Sequence, residues 1–434
     1  MDLDQGNTAY LLIASALVLL MTPGLAFFYG GLVKAKSVIS MMMMSFGAIG
    51  LIAVLWAIYG YAIAFPTPPA DGGTVAPWTI DWSNWLLGGA LADAAAPAGA
   101  YPALAFVAFQ ATFAIITVAL ISGAIADRAK FGSWMIFAGI WATVVYFPVA
   151  SWVFNFGLAD GSDPGQGVFA YGGWATNGLE DVFGTGLIDF AGGTAVHINA
   201  GAAALALALV LGRRVGFAKG AHVPHNPPFV MLGAGLLWFG WFGFNAGSEL
   251  AADGTAAIAF VNTLIAPAAA LLGWLVVEKI KDGKPTSVGA ASGAVAGLVA
   301  ITPACGSLTP GWALVLGALA GVVCALAIDL KFKLGFDDSL DVVGVHLVGG
   351  LVGTLFLGFF ANTTGLIYSG NFAQLAVQAI AALAVMVYSF VLAFLIGFVI
   401  EKTIGFRVKN EDEIAGIDLV VHGEEGYVLA DAKA

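Results

Sequence analysis

Apolar residues occupy this chain in long blocks, with glycine inside the blocks and charge confined to the segments between them. The blocks lack the two-residue alternation of a half-buried strand. They match the roughly 20 residues that an α-helix needs to cross a hydrocarbon core of about 30 Å. The pattern predicts eleven spans, at 8–32, 37–65, 102–126, 133–157, 187–211, 229–249, 255–278, 287–303, 311–330, 342–361 and 374–400. The expected fold class is an all-α polytopic membrane protein, with residues 1–402 as a transmembrane domain and 403–434 as a polar tail.

Composition agrees with that reading. The chain is 60% hydrophobic and 10% charged, more apolar surface than a soluble domain can hide and what a bundle shows to lipid. The net charge of −11 comes from acids in loops and tail, so it does not mark a partner, and no nucleic-acid partner is expected. Cys305 and Cys324 lack CxxC spacing, which argues against a disulfide framework or a zinc site. The start, MDLDQGNTAY, is acidic and is followed by an apolar stretch too long for a signal h-region. It reads as an uncleaved first span whose leading end is translocated.

Charge then orients the spans. Lys34 and Lys36 follow span one, and Arg128 and Lys130 follow span three. Arg213, Arg214 and Lys219 follow span five; Lys279, Lys281 and Lys284 follow span seven. Lys331 and Lys333 follow span nine, while Lys402, Arg407, Lys409 and Lys433 follow span eleven. These are all 16 Lys and Arg residues, and every one falls on one side. The positive-inside rule makes that side cytoplasmic, with the N-terminus outside and the C-terminus inside. The opposite segments, 66–101 and 158–186, carry Asp71, Asp81, Asp93, Asp160, Asp163, Glu180 and Asp181 without a basic residue. They read equally as a mild cation attractor or as plain solvated loops.

Two histidines lie inside the spans, in segments that hold no other strongly basic group. His197 sits in DFAGGTAVHINAGAAALALAL (189–209) and His346 in DVVGVHLVGGLVGTLFLGFF (341–360). A titratable group at membrane depth is costly and faces a cavity or a partner, although a lone buried histidine also serves as an ordinary packing or hydrogen-bonding residue. The charge pattern sends their spans in opposite directions, and each is preceded by an aspartate suited to cap it, Asp189 and Asp341. At 1.5 Å per residue the histidines lie about 12 Å and about 7.5 Å beyond those caps, within the hydrocarbon core. Blocks of five spans, 8–211 and 229–361, with 374–400 as an extra helix, imply inverted repeats and a midplane site. Spacing alone does not say whether the rings meet.

Four stretches resemble the ammonium transporter family (Amt/Mep/Rh): GLAFFYGGLVKAKSV (24–38), DFAGGTAVHINAGA (189–202), GWFGFNAGSEL (240–250) and DVVGVHLVGGLVGTL (341–355). GIDLVVHGEEGY (416–427) is similar to the family's C-terminal motif. The resemblance implies a homotrimer of eleven-helix subunits, each with its own pore, that moves ammonium or ammonia across the cytoplasmic membrane without a cofactor or metal. It implies His197 and His346 as pore and proton-relay residues, Phe113 and Phe244 as the outer gate, and Ser248, Phe113 and Phe154 in ammonium recruitment. Asp189 would support the vestibule. Gly416, Asp418, His422, Gly423, Glu424 and Tyr427 would form a regulatory tail under the bundle. A trimeric PII signalling protein is the implied partner on that face, with the loop 212–225 as part of its surface. One departure stands out: Val153-Phe154-Asn155-Phe156-Gly157 puts Phe154 where many members have a vestibule tryptophan, and phenyl is the weaker cation–π partner. Trp152 is adjacent but would point elsewhere on a helix.

Plainer readings stand beside these. Phe113 and Phe244 alone are core or lipid-facing aromatics, and Ser248 alone bonds back to its own helix. Met41 to Met44 point all round a helix, which favours gap-filling over a metal path. An intramembrane metalloenzyme lacks an HExxH or a further His/Cys cluster. An ammonium sensor on the same scaffold and a Rh-like electroneutral gas channel remain as alternatives to transport.

Overall fold

The computed structural model describes residues 3–67, 75–93, 101–155, 172–217 and 223–427. Asp71, Asp160, Asp163, Lys219, Lys433, Phe156 and Gly157 lie outside them. Ten long apolar helices occupy most of the chain: α1 (Gln5–Leu32), α2 (Ala35–Ala64), α3 (Ala103–Ile125), α4 (Phe131–Phe154), α5 (Gly193–Leu211), α6 (Pro227–Glu249), α7 (Gly254–Lys281), α9 (Pro310–Leu334), α10 (Val343–Phe360) and α11 (Ala373–Thr403). A shorter apolar helix, α8 (Ser287–Ile301), completes the predicted eleven. No strand is present among the described residues beyond an isolated bridge between Ala129 and Arg407.

Most span ends shift by a few residues from the sequence pattern, and two of the shifts have a backbone reason. Span five starts at Gly193 rather than 187, because residues 186–189 are non-helical, with the backbones of Gly186 and Ile188 bonded to side chains of α11 rather than to a helical ladder. Span eight ends at Ile301 and continues as tight turns, with the Pro303 carbonyl accepting from Phe190 N at 3.1 Å. Irregular backbone of this kind is tolerated at membrane depth only where protein buries it.

The helices that an inverted repeat would exchange lie side by side. α1 packs along α6, where Gly24 and Gly233 let the backbones approach closely, and α5 packs along α10. On the basic face one guanidinium joins three loops. Arg214 donates to Asp127 at 3.0 Å and to Asp337 at 2.9 Å, both carboxylates fully buried. Burial pushes the Asp337 carboxyl up, but the Arg214 hydrogen bonds and the charges of Arg128 and Arg214 outweigh it. They hold Asp337 below the usual carboxylate range. Arg128, itself fully buried, donates to the Asp337 carbonyl at 2.6 Å.

The expected cap at Asp341 is a correction. Its carboxylate accepts from Lys331 Nζ at 2.5 Å, and its backbone is left-handed, φ +63°. Asp338 caps α10 instead, accepting from Val343 N at 2.7 Å.

Candidate functional site

The site begins with how α5 and α10 start. Asp189 accepts from the amides of Gly192 (3.1 Å), Thr194 (2.9 Å) and Ala195 (3.0 Å), satisfying orphan donors of the first turn. Both helices open with a widened π turn, Gly193–Ile198 and Val343–Leu347, and each turn carries the histidine. Such turns break the regular ladder and recur at functional sites. Each histidine is followed four residues later by a glycine, Gly201 and Gly350, on the same helix face. A Cβ on Gly201 would lie 2.5 Å from Leu347 N, and one on Gly350 would lie 3.0 Å from the Gly193 carbonyl oxygen. The two backbones therefore meet directly, and the imidazoles are brought together.

His197 and His346 are buried, with ring centroids 5.2 Å apart and Nδ1 atoms at 3.2 Å. Only one proton fits between two nitrogens at that distance, so one ring donates and the other accepts. The two outward Nε2 positions are then complementary, one N–H and one lone pair. His197 Nε2 is buried with no protein partner. The rings border an enclosed lumen that is otherwise apolar, lined by Leu25, Ile116, Val196, Leu237 and Val295 among others. Its free space of ≈ 10 Å³ is room for about one water molecule.

At the end toward the acidic face, Phe113 and Phe244 stack at 4.1 Å and 17°, both almost fully buried. Phe244 lies 6.2 Å from His197, so the aromatic pair closes the lumen directly. Phe154 meets Phe113 edge-on at 6.1 Å and 81°. Ser248 Oγ donates to the Phe244 carbonyl at 2.8 Å, the back-bonded geometry foreseen as its plain reading, and this leaves the oxygen's lone pairs as acceptors. Trp152 is turned away, packing on Tyr388 at 4.7 Å and Trp174 at 5.8 Å.

The tail segment up to Tyr427 folds against the basic face. Asp418 accepts from Ile39 N (3.0 Å) and Ser40 N (2.7 Å), and Gly416 faces Lys36 with φ +122°. His422 packs on Phe131 at 5.3 Å, and Gly423 turns the chain with φ +69°. Tyr427 Oη lies 2.8 Å from His225 Nε2 and accepts from Asn226 Nδ2 at 3.2 Å. Glu424 is exposed. Arg407, half-buried, pairs with buried Glu413 and anchors the segment, and Glu413 also accepts from Val215 N at 2.7 Å.

Two sets of residues escaped the sequence reading. Trp241 stacks on His197 at 5.5 Å, with its indole donating to Thr302 Oγ1 at 2.8 Å. Its position three residues before Phe244 on one helix was the available signal. Gln374 and Gln378, polar residues near the start of an otherwise apolar span, hold the non-helical segment before Asp189.

Apolar helices around a narrow lumen with facing imidazoles define a multi-pass membrane protein of the channel or transporter class. Residues 9–427 match the Ammonium Transporter Family. A protein of Mycobacterium tuberculosis named ammonium transporter is 56% identical over 99% of this chain and 92% of its own length. One of Bacillus subtilis, with the same name, is 41% identical over 98% of this chain and 99% of its own length. Among solved structures, Candida albicans Mep2 superposes with TM-score 0.80 at 31% identity, over 94% of this chain and 88% of that one. This chain belongs to the ammonium transporter family.

Proposed function

We propose that the protein moves ammonium inward across the cytoplasmic membrane, acting as a transporter and not as an enzyme, with its N-terminus outside and C-terminus inside. The ion is drawn to the outer cup of Phe113, Phe154 and Ser248, where cation–π attraction of about 0.5–2 kcal/mol offsets part of its lost hydration. Carrying the intact cation through the bilayer centre costs several kcal/mol more. At the cup, ammonium gives up one proton and becomes ammonia, which crosses the apolar lumen past His197 and His346. The released proton moves along the imidazole pair, whose shared Nδ1–Nδ1 hydrogen bond swaps tautomers as it shifts. The observation that carries this reading is the imidazole pair itself. It has one unpartnered Nε2 facing an apolar lumen under a stacked phenylalanine lid.

In the same reading residues 1–402 are the membrane domain, built of repeats 8–211 and 229–361 with 374–400 added, and three copies assemble. Residues 403–434 regulate it. Asp418 on the start of α2 and Tyr427 on His225 and Asn226 support a tail that couples to the bundle. A trimeric PII signalling protein would dock there.

The test is electrical. In proteoliposomes, an ammonium pulse should give an inward current that His197→Ala and His346→Ala each reduce at least about tenfold. Intact ammonia flux without current in the parent protein would instead support the Rh-like gas channel, and the weaker ring at Phe154 favours keeping that comparison in the design.

A further inference from the structure

Two glutamines near the start of α11 have no part in the mechanism above, yet both are fully buried in a membrane helix. Polar side chains at that depth carry a cost unless fully bonded, and Gln378 is fully bonded. Its Oε1 accepts from Ile188 N at 2.9 Å and from Gln374 Nε2 at 3.1 Å. Its Nε2 donates to the Ile188 carbonyl at 2.8 Å and to the Thr354 carbonyl at 3.2 Å. Gln374 extends the pattern by accepting from Thr185 Oγ1 at 2.7 Å and donating to the Gly186 carbonyl at 3.0 Å. The two amides thus satisfy the Thr185 hydroxyl, the Gly186 carbonyl and both backbone groups of Ile188, polar groups that this non-helical segment does not pair within a helix.

What these residues hold gives them meaning. Ile188 precedes Asp189, the cap of the turn that carries His197. Thr354 lies on α10, beyond His346 toward the acidic face, and its hydroxyl is 3.4 Å from that of Thr194 on α5. One side chain of α11 therefore grips the start of one histidine helix and the body of the other. We infer that Gln378, backed by Gln374, is a positioning residue that sets α5 against α10 and so fixes the imidazole pair for conduction.

This rests on the histidines lining the path, so the test includes His197→Ala. In proteoliposomes, Gln378→Leu should lower the maximal ammonium rate by about tenfold or more. Its half-saturating concentration should stay within about twofold, because the cup is untouched. Gln378→Glu keeps the acceptor but loses the amide donor until the introduced carboxyl is protonated. Full burial of position 378 favours that protonation. The rate of Gln378→Glu relative to the parent protein should therefore recover as pH falls, while that of Gln378→Leu should not. A loss proportional to the fraction of folded protein would overturn the inference, as would a pH-independent ratio for Gln378→Glu. If Gln378→Leu transports normally while His197→Ala is impaired, the positioning role alone fails; if His197→Ala is also unimpaired, the pore reading fails with it.

Discussion

At the scale of single residues, the chemistry rests on a few side chains whose types were legible and whose contacts were not. Histidine inside an apolar block marks a cost that demands a use, and that much is visible in a string of letters. The 3.2 Å Nδ1–Nδ1 contact depends on two segments 149 residues apart meeting at one depth, which no local pattern encodes. Trp241 went unassigned for the same reason, since an aromatic in an apolar helix looks like any core residue until its ring is seen stacked on His197. Phe154 makes the residue scale testable. It presents phenyl to Phe113 where an indole would give a stronger cation–π surface. Phe154→Trp should lower the half-saturating ammonium concentration by about two- to fivefold, a gain of about 0.5–1 kcal/mol within the cation–π range. The maximal rate should not rise, because the lumen is unchanged. Initial uptake rates across ammonium concentrations measure both, and an unchanged half-saturation would mean Phe154 does not face the ion.

At the scale of elements, the two histidine helices are built alike and inverted, with a widened first turn, the histidine, and a glycine one turn later. The long apolar runs made the helices readable, and the Lys/Arg pattern set the two in opposite directions, which the contacts of Gly201 with Leu347 and Gly350 with Gly193 match. Their exact starts were hidden, because side chains outside the apolar runs or from another helix set them: Asp338 in the preceding loop at Val343 and Gln378 of α11 at Ile188. Asp341 looked like the better cap because it directly precedes the apolar run, but a nearby ammonium, Lys331, claims its carboxylate. The glycines are where the arrangement is least forgiving. A methyl at Gly201 would meet the backbone nitrogen of Leu347 at 2.5 Å, and backbone cannot rotate aside. Gly201→Ala should therefore push α5 from α10 and abolish ammonium current. It should also cost about 1–3 kcal/mol of stability, the usual range for overpacking. Gly50→Ala is the matched control, since a methyl there meets nothing within 4 Å. It should be neutral or slightly stabilising through helix propensity. Thermal unfolding in detergent and current recordings on both variants separate the two, and a conducting Gly201→Ala protein would contradict the close-contact account.

At the scale of the whole molecule, the basic face ties the bundle together. The bias of Lys and Arg to one side was plain in the sequence, but its internal wiring was not. Arg214 reaches Asp127 and Asp337 across 87 and 123 residues, and charge counting treats all three as loop residues of no special rank. Yet Asp337 sits between α9 and the start of α10, so the network connects the loop beyond α3, the end of α5 and the entry to the second histidine helix. Removing one partner from a buried ion pair commonly costs about 3–5 kcal/mol. Asp337→Asn should fall at the low end, because Asp127 still faces Arg214. The sign of the pH effect follows from the pairing. Asp337 ionises below its ordinary value in the folded protein, so the folded state favours the charged form. Its stabilisation is complete above the unfolded carboxylate value of about 3.9 and is lost as pH falls through the lower, folded value. The parent protein should thus lose stability more steeply than Asp337→Asn below about pH 4, with the two curves converging as the carboxylate is neutralised. Unfolding midpoints of both proteins across that window provide the measurement; parallel curves would show that Asp337 is not the group whose charge the fold depends on.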